Sequence, residues 1–141
     1  MITDDANASP QIALIGDAAI ADYCLSRLIE SGFRVVACLP GSRSFAAKAR
    51  SYGVPVMPVD AAPRGLLETP CDWILSVVNL RILPEEILAH PARGVINFHD
   101  GPLPRYAGLY APTRALLDGE AEHGVTWHAV DSGIDTGDLL V

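Results

Sequence analysis

The chain has 141 residues, half of them hydrophobic and 19% charged, a length and balance that fit one globular domain with a sizeable core. Its net charge is −7 and no stretch gathers lysine and arginine, so the phosphate neutralisation that drives nucleic-acid binding has no footing. No apolar run is long enough to cross a bilayer, and the acidic, polar opening is the reverse of a secretory signal's layout.

That opening, residues 1–10, reads as a flexible leader, with one domain expected over residues 11–141. Residues 11–16 form an apolar run ending in glycine, a buried strand. Residues 17–31 carry Ile20, Cys24, Leu25, Leu28 and Ile29 at helical spacing, with Asp17 as N-cap and Gly32 as the stop. A second strand is expected over 34–39, a helix over 42–52 and a third short strand over 54–57. Residues 61–71 read as loop with about one helical turn, and 72–79 as a fourth, central strand. Pro84, Glu85 and Glu86 open a short helix over 84–90, carboxylates near its positive end. A fifth strand leads from Gly94 to His99, a helix spans 112–119, and a sixth strand spans 124–130.

This alternation predicts an α/β fold: an open, mostly parallel, Rossmann-like twisted sheet with helices on both faces. Ligands of such sheets bind beyond the carboxyl ends of the strands. The first turn, Gly16-Asp17-Ala18-Ala19, lacks the glycine fingerprint of dinucleotide sites, and its carboxylate opposes a phosphate at the helix N-terminus. Rossmann-like topology therefore brings no nicotinamide with it. Cys24, Cys38 and Cys71 lack paired spacing and read as free thiols of a cytoplasmic protein. The four histidines show no metal-ligand spacing, so no metal is expected.

Asn97 and His99 are separated by one residue, so on an extended backbone both face the same way. They stand where a buried strand runs into the turn Asp100-Gly-Pro-Leu-Pro-Arg105. An amide donor beside an imidazole suits charge developing on a carbonyl oxygen. The pair alone also fits a turn cap beside a near-surface histidine. Downstream, Asp131, Asp135 and Asp138 lie on a glycine-punctuated loop that also fits a solvated turn with Asx-type hydrogen bonds. The register of an EF-hand calcium loop is absent.

Five motifs occur in order: Asn97-x-His99, Leu103-Pro104-Arg105-Tyr106-x-Gly108, Asp118-Gly119-Glu120, His123-Gly124-Val125-Thr126-x-His128, and Asp131-x-Gly133-x-Asp135-x-Gly137. Together they resemble the catalytic core of the folate-dependent formyltransferase family, which includes methionyl-tRNA formyltransferase and glycinamide ribonucleotide transformylase. The spelling His99-Asp-Gly-Pro-Leu-Pro104 resembles the formyltransferase domains of peptide synthetases in particular. The resemblance implies that residues 11–141 are a catalytic domain, incomplete at its C-terminus. It would transfer a formyl group from N10-formyltetrahydrofolate to a primary amine through a tetrahedral intermediate.

In that reading Asn97 and protonated His99 donate to the oxyanion, while Asp135 orients the imidazole and helps relay the amine's proton. The resemblance assigns Arg81, Ile82 and Leu83 to the pterin pocket, acting largely through backbone groups. Leu103, Pro104 and Asp131 are the other residues expected against the folate. The Arg81 side chain equally fits an exposed connection between strand and helix. Arg105 and Tyr106 either touch the acceptor or pack the loop, His128 reads as a core histidine, Trp73 and Trp127 as core, and Asp138 as solvated. The acceptor amine is not written in these residues. A carrier-protein-linked aminoacyl group is favoured over tRNA, with a sugar or amino-acid amine also open. The alternatives are a formyltetrahydrofolate hydrolase with water as acceptor, and a truncated, inactive folate-binding module.

Overall fold

A computed structural model describes residues 9–58 and 62–141; most of the expected leader lies outside the described residues. The elements are β1 (Gln11–Gly16), α1 (Ala18–Glu30), β2 (Arg34–Pro40), α2 (Arg43–Ser51), α3 (Ala62–Leu67), β3 (Trp73–Val77), α4 (Glu85–Leu88), β4 (Gly94–His99), α5 (Ala111–Leu117) and β5 (Thr126–Ala129). They build one five-stranded sheet in the order β2-β1-β3-β4-β5. The first four strands run parallel, and β5 pairs antiparallel with β4.

Alternation along the strands sorts the core onto the two faces of the sheet. Ala13, Ile15, Leu39, Ile74 and Val95 pack with Leu66 and Ile87 of α3 and α4. Leu14, Cys38 and Val77 pack with Ala21 and Leu25 of α1 and with Phe45 and Ala49 of α2. Asp17 caps α1 as expected, its carboxylate accepting from the Ala18 N–H at 2.6 Å. Gly32, at φ +81°, turns the chain out of α1 while Phe33 N–H bonds back to the Leu28 carbonyl. Cys38 and Cys71 are buried and all three thiols are free; burial pushes the Cys38 thiol up to about 12.

Three expectations change. The strand over 54–57 is reduced to a single bridge between Cys38 and Val56, because Pro55 and Pro58 have no N–H to extend a ladder. Residues 61–71, expected as loop with about one helical turn, contain the slightly longer α3, whose Leu66 is drawn onto the sheet as a fully buried core residue. Pro84 occupies the N-cap of α4 rather than its first turn.

The chain order reverses at β1: β2 lies on one side of it and β3 on the other. Such a switch point opens a crevice at the carboxyl ends of the flanking strands. A cavity of about 330 Å³ lies there, reached by Gly16 and Asp17 from β1, Pro40 and Gly41 from β2, and the 78–84 connection after β3. Gly16 must be bare, since a Cβ there would stand 2.7 Å from the Val77 carbonyl oxygen and 2.8 Å from Ala21 Cβ. We expect Gly16→Ala to cost about 1–3 kcal/mol of stability, read as a lowered Tm in thermal unfolding.

Candidate active site

Strand β4 carries Val95, Asn97 and His99 on one face, with Val95 in the core and the two polar residues at the carboxyl end. The antiparallel register then sets His128 directly opposite Asn97 and Thr126 directly opposite His99. The Asn97 amide donates to His128 Nε2 at 3.1 Å, and His128 Nδ1 bonds the Ala129 carbonyl at 2.8 Å. An Asn amide has two N–H donors, so one remains after this bond. Thr126 Oγ1 accepts from Leu103 N–H at 3.0 Å and donates to the Gly101 carbonyl at 2.8 Å, pinning the turn that follows His99.

His99 is 6% exposed, and both of its ring nitrogens meet protein acceptors. Nε2 lies 2.9 Å from the Tyr106 carbonyl oxygen, and Nδ1 lies 3.4 Å from Asp135 Oδ2. Asp135 is itself only 12% exposed and stands between two imidazoles, its Oδ1 3.4 Å from His128 Nε2. The Gly108 N–H donates to Asp135 Oδ2 at 2.7 Å. A carboxylate this buried needs such donors, because desolvation without them costs several kcal/mol.

The loop that carries Asp135 is shaped by glycine and by its own side chains. Asp135 adopts φ +54°, a conformation Asp tolerates better than most residues. Gly137 passes so close to β5 that a Cβ would fall 1.9 Å from the Ala129 carbonyl oxygen. Beyond it the chain runs back along β5, with Ala129 N–H bonded to the Asp138 carbonyl and Leu140 N–H to the Trp127 carbonyl, each at 2.8 Å. Asp131 accepts from Gly133 N–H at 2.9 Å and from the Thr136 hydroxyl at 2.6 Å. These two bonds, the hydroxyl foremost, hold its carboxyl below the usual aspartate range.

The three expected catalytic residues therefore come together: Asn97, His99 and Asp135, joined by His128. The expected folate residues divide into two groups. Arg81, Ile82 and Leu83 line the switch-point cavity, whose buried wall includes Ile15, Leu39, Leu66 and Ile87. Leu103, Pro104 and Asp131 lie instead on the two loops that follow β4 and β5; Leu103 is buried, and Pro104 and Asp131 are exposed. Tyr106 packs, its ring 6% exposed and its hydroxyl donating to Asp118 and Glu120. Arg105 pairs with Glu120, and its guanidinium lies 4.8 Å from the centre of the Tyr106 ring. His128 is buried and hydrogen-bonded, as a satisfied core histidine should be, but sequence reasoning did not foresee that its partner is Asn97. The signal was present in the Thr126-x-His128 alternation, which mirrors Asn97-x-His99, but only an antiparallel pairing turns the two faces together.

A family model described as formyl transferase matches residues 45–141. The chain belongs to that family. Methionyl-tRNA formyltransferase of Geobacter metallireducens is 34% identical over 95% of this chain, which covers 49% of that protein. The chain thus spans about half the length of the curated relatives it matches. Glycinamide ribonucleotide transformylase 1 from Geobacillus kaustophilus shares the fold at a TM-score of 0.81 and 23% identity, over 95% of this chain and 81% of that one. A formyltetrahydrofolate deformylase from Pseudomonas syringae shares it at 0.83 and 19% identity, over 95% of this chain and 50% of that one. Among the described residues no group of side chains is arranged to hold a metal ion, and no helix is long and apolar enough to cross a membrane.

The hydrogen bonds to Asp131 carry a pH dependence. A carboxyl depressed in the folded state contributes stability above its unfolded value and loses it as pH falls through the folded one. The 131–136 loop should accordingly loosen as pH drops below about 4. Protection of the Gly133 amide in hydrogen exchange, corrected for intrinsic rates, reads this, and Asp131→Ala should lose the protection at neutral pH as well.

Proposed function

We propose that residues 11–141 form the catalytic domain of an enzyme that moves a formyl group from N10-formyltetrahydrofolate to a primary amine. The observation that carries this reading is the Asn97–His99–Asp135 cluster at the carboxyl end of β4, in which His99 is buried and the two Asp135 oxygens each face an imidazole.

The chain's residues fit the folate in two respects. The switch-point cavity is of the size that seats a bicyclic ring, with a largely apolar wall and with Asp17, Asn79 and Arg81 among its polar lining. It also lies about two strand spacings, roughly 10 Å, from the end of β4, a span that suits an elongated co-substrate. Arg81, Ile82 and Leu83 hold the ring in this reading, and Leu103, Pro104 and Asp131 border it on the side of the reacting group. The bound co-substrate supplies the formyl carbon.

The chain's own groups manage charge and protons around that carbon. The Asn97 N–H not given to His128 donates to the carbonyl oxygen as negative charge collects there. Donors fixed in place before reaction gain most where water is excluded, and His99 and His128 are both nearly buried. His99, protonated, gives each of its flanking acceptors a hydrogen and adds positive charge beside the same oxygen. Asp135 compensates that charge and accepts the proton shed by the attacking amine; as the tetrahedral carbon collapses the C–N10 bond breaks and that proton passes to N10 of the departing tetrahydrofolate. His128 positions Asn97 by accepting one of its amide hydrogens.

The acceptor is a primary amine, and we favour an aminoacyl amine. Methionyl-tRNA and an aminoacyl group on a carrier protein present the same α-amino chemistry. The chain's net charge of −7 weighs against a tRNA held by this chain alone. Incubation with formyltetrahydrofolate and, in separate arms, methionyl-tRNA, an aminoacyl thioester, an amino sugar or no amine distinguishes the acceptors. Formate released without amine would instead identify a hydrolase. Asn97→Ala, His99→Ala and Asp135→Ala are each expected to lower turnover by about 10²–10³-fold, with folate-analogue binding retained in calorimetry. Variants with wild-type turnover would overturn the assignment.

A further inference from the structure

The 105–108 loop touches both members of the His99–Asp135 pair. The Tyr106 carbonyl accepts from His99 Nε2 at 2.9 Å, and two residues later the Gly108 N–H donates to Asp135 Oδ2 at 2.7 Å. One short piece of backbone thus sets both the ring and the carboxylate. The approach is possible because residue 101 has no side chain: a Cβ there would stand 2.9 Å from His99 Nε2.

The loop is held in place from outside the site. Tyr106 has φ +61°, a strained conformation for a residue with a Cβ, so surrounding contacts must fix it. Its hydroxyl donates to Asp118 Oδ2 at 2.8 Å and to Glu120 Oε1 at 3.2 Å, beyond the end of α5. Its ring lies 4.8 Å from the Arg105 guanidinium and 5.5 Å from that of Arg114. Arg114 in turn donates to the Ala107 carbonyl at 2.8 Å, tying α5 to the same loop. Burial and the two carboxylate partners push the Tyr106 phenol up to about 12, so the hydroxyl remains a donor across the physiological range.

Which nitrogen of an imidazole carries the proton is set by the hydrogen bond the other makes. We propose that Tyr106 is a positioning residue for His99: its main-chain carbonyl, fixed by the clamp on its side chain, holds the neutral ring as the Nε2–H tautomer, so that the N–H added in the imidazolium used for transfer is the one on Nδ1, facing Asp135. The inference rests on the proposed role of His99 and Asp135 in formyl transfer, but its first test does not require turnover.

Long-range ¹⁵N–¹H correlation spectra of the histidine-labelled full chain, recorded at alkaline pH and assigned with His99→Gln, report the tautomer directly. Wild-type His99 is expected as Nε2–H. Tyr106→Phe, which keeps the ring and loses only the hydroxyl, should shift the population toward Nδ1–H. The double variant Asp118→Ala/Glu120→Ala should do the same, because it removes both acceptors of that hydroxyl. In the transfer assay Tyr106→Phe should lower kcat about tenfold, with KM for formyltetrahydrofolate within about twofold of wild type. A wild-type ring protonated at Nδ1 overturns the proposal. So does a Tyr106→Phe protein whose tautomer is unchanged, whatever its Tm. If the wild-type chain transfers no formyl group, the functional reading fails while the spectra still decide the positioning.

Discussion

A carboxylate buried at the end of a sheet must be matched by donors, and much of the second half of this chain is arranged around that requirement. Asp135 receives the Gly108 N–H and lies between the imidazoles of His99 and His128. Each partner arrives from a different segment: His99 from β4, His128 from β5, and Gly108 from the turn between them. Removing one partner leaves charge in a poorly hydrated place, so the three segments depend on one another. The geometry is therefore a property of the assembled loops rather than of any one of them.

Two breaks in the regularity of the sheet supply the room for function. At β1 the strand order reverses and opens the cavity lined by Asp17 and the 78–84 connection. At β5 the strand direction reverses and sets His128 against Asn97. Non-glycine residues with positive φ gather at both places. Ala18 and Val78 flank the cavity; Tyr106, Tyr110 and Asp135 lie on the loops beside the site. Val78 is β-branched, for which this conformation is an outlier, and such strain persists only where neighbours enforce it.

Two solved structures with this fold are named a glycinamide ribonucleotide transformylase and a formyltetrahydrofolate deformylase. A common sheet can serve both because the reaction is decided by loops and side chains at its edge. In this chain the β1–α1 turn carries Asp17, whose carboxylate already occupies the Ala18 N–H. That turn is poorly suited to a phosphate.

The order of strands and helices was legible in the sequence because apolar spacing and capping residues are local signals. Asp17, Gly32, the apolar run of β1 and the Asn97-x-His99 spacing of β4 needed no tertiary context. Asn97, His99 and Asp135 were readable as a set because their spacing and the glycines around them form a resemblance in linear order. The strand at 54–57 was misread, since its prolines outweighed average propensity, while the helical turn expected within 61–71 proved somewhat longer because Leu66 is buried against the sheet. What the tertiary structure alone decided was mutual placement. The pairing direction of β5 is set by the path of the chain across the sheet edge, and that direction brings His128 to Asn97. The contact between the Tyr106 carbonyl and His99 is likewise invisible in sequence, because a main-chain oxygen carries no residue identity, and only the folded loop determines where it points.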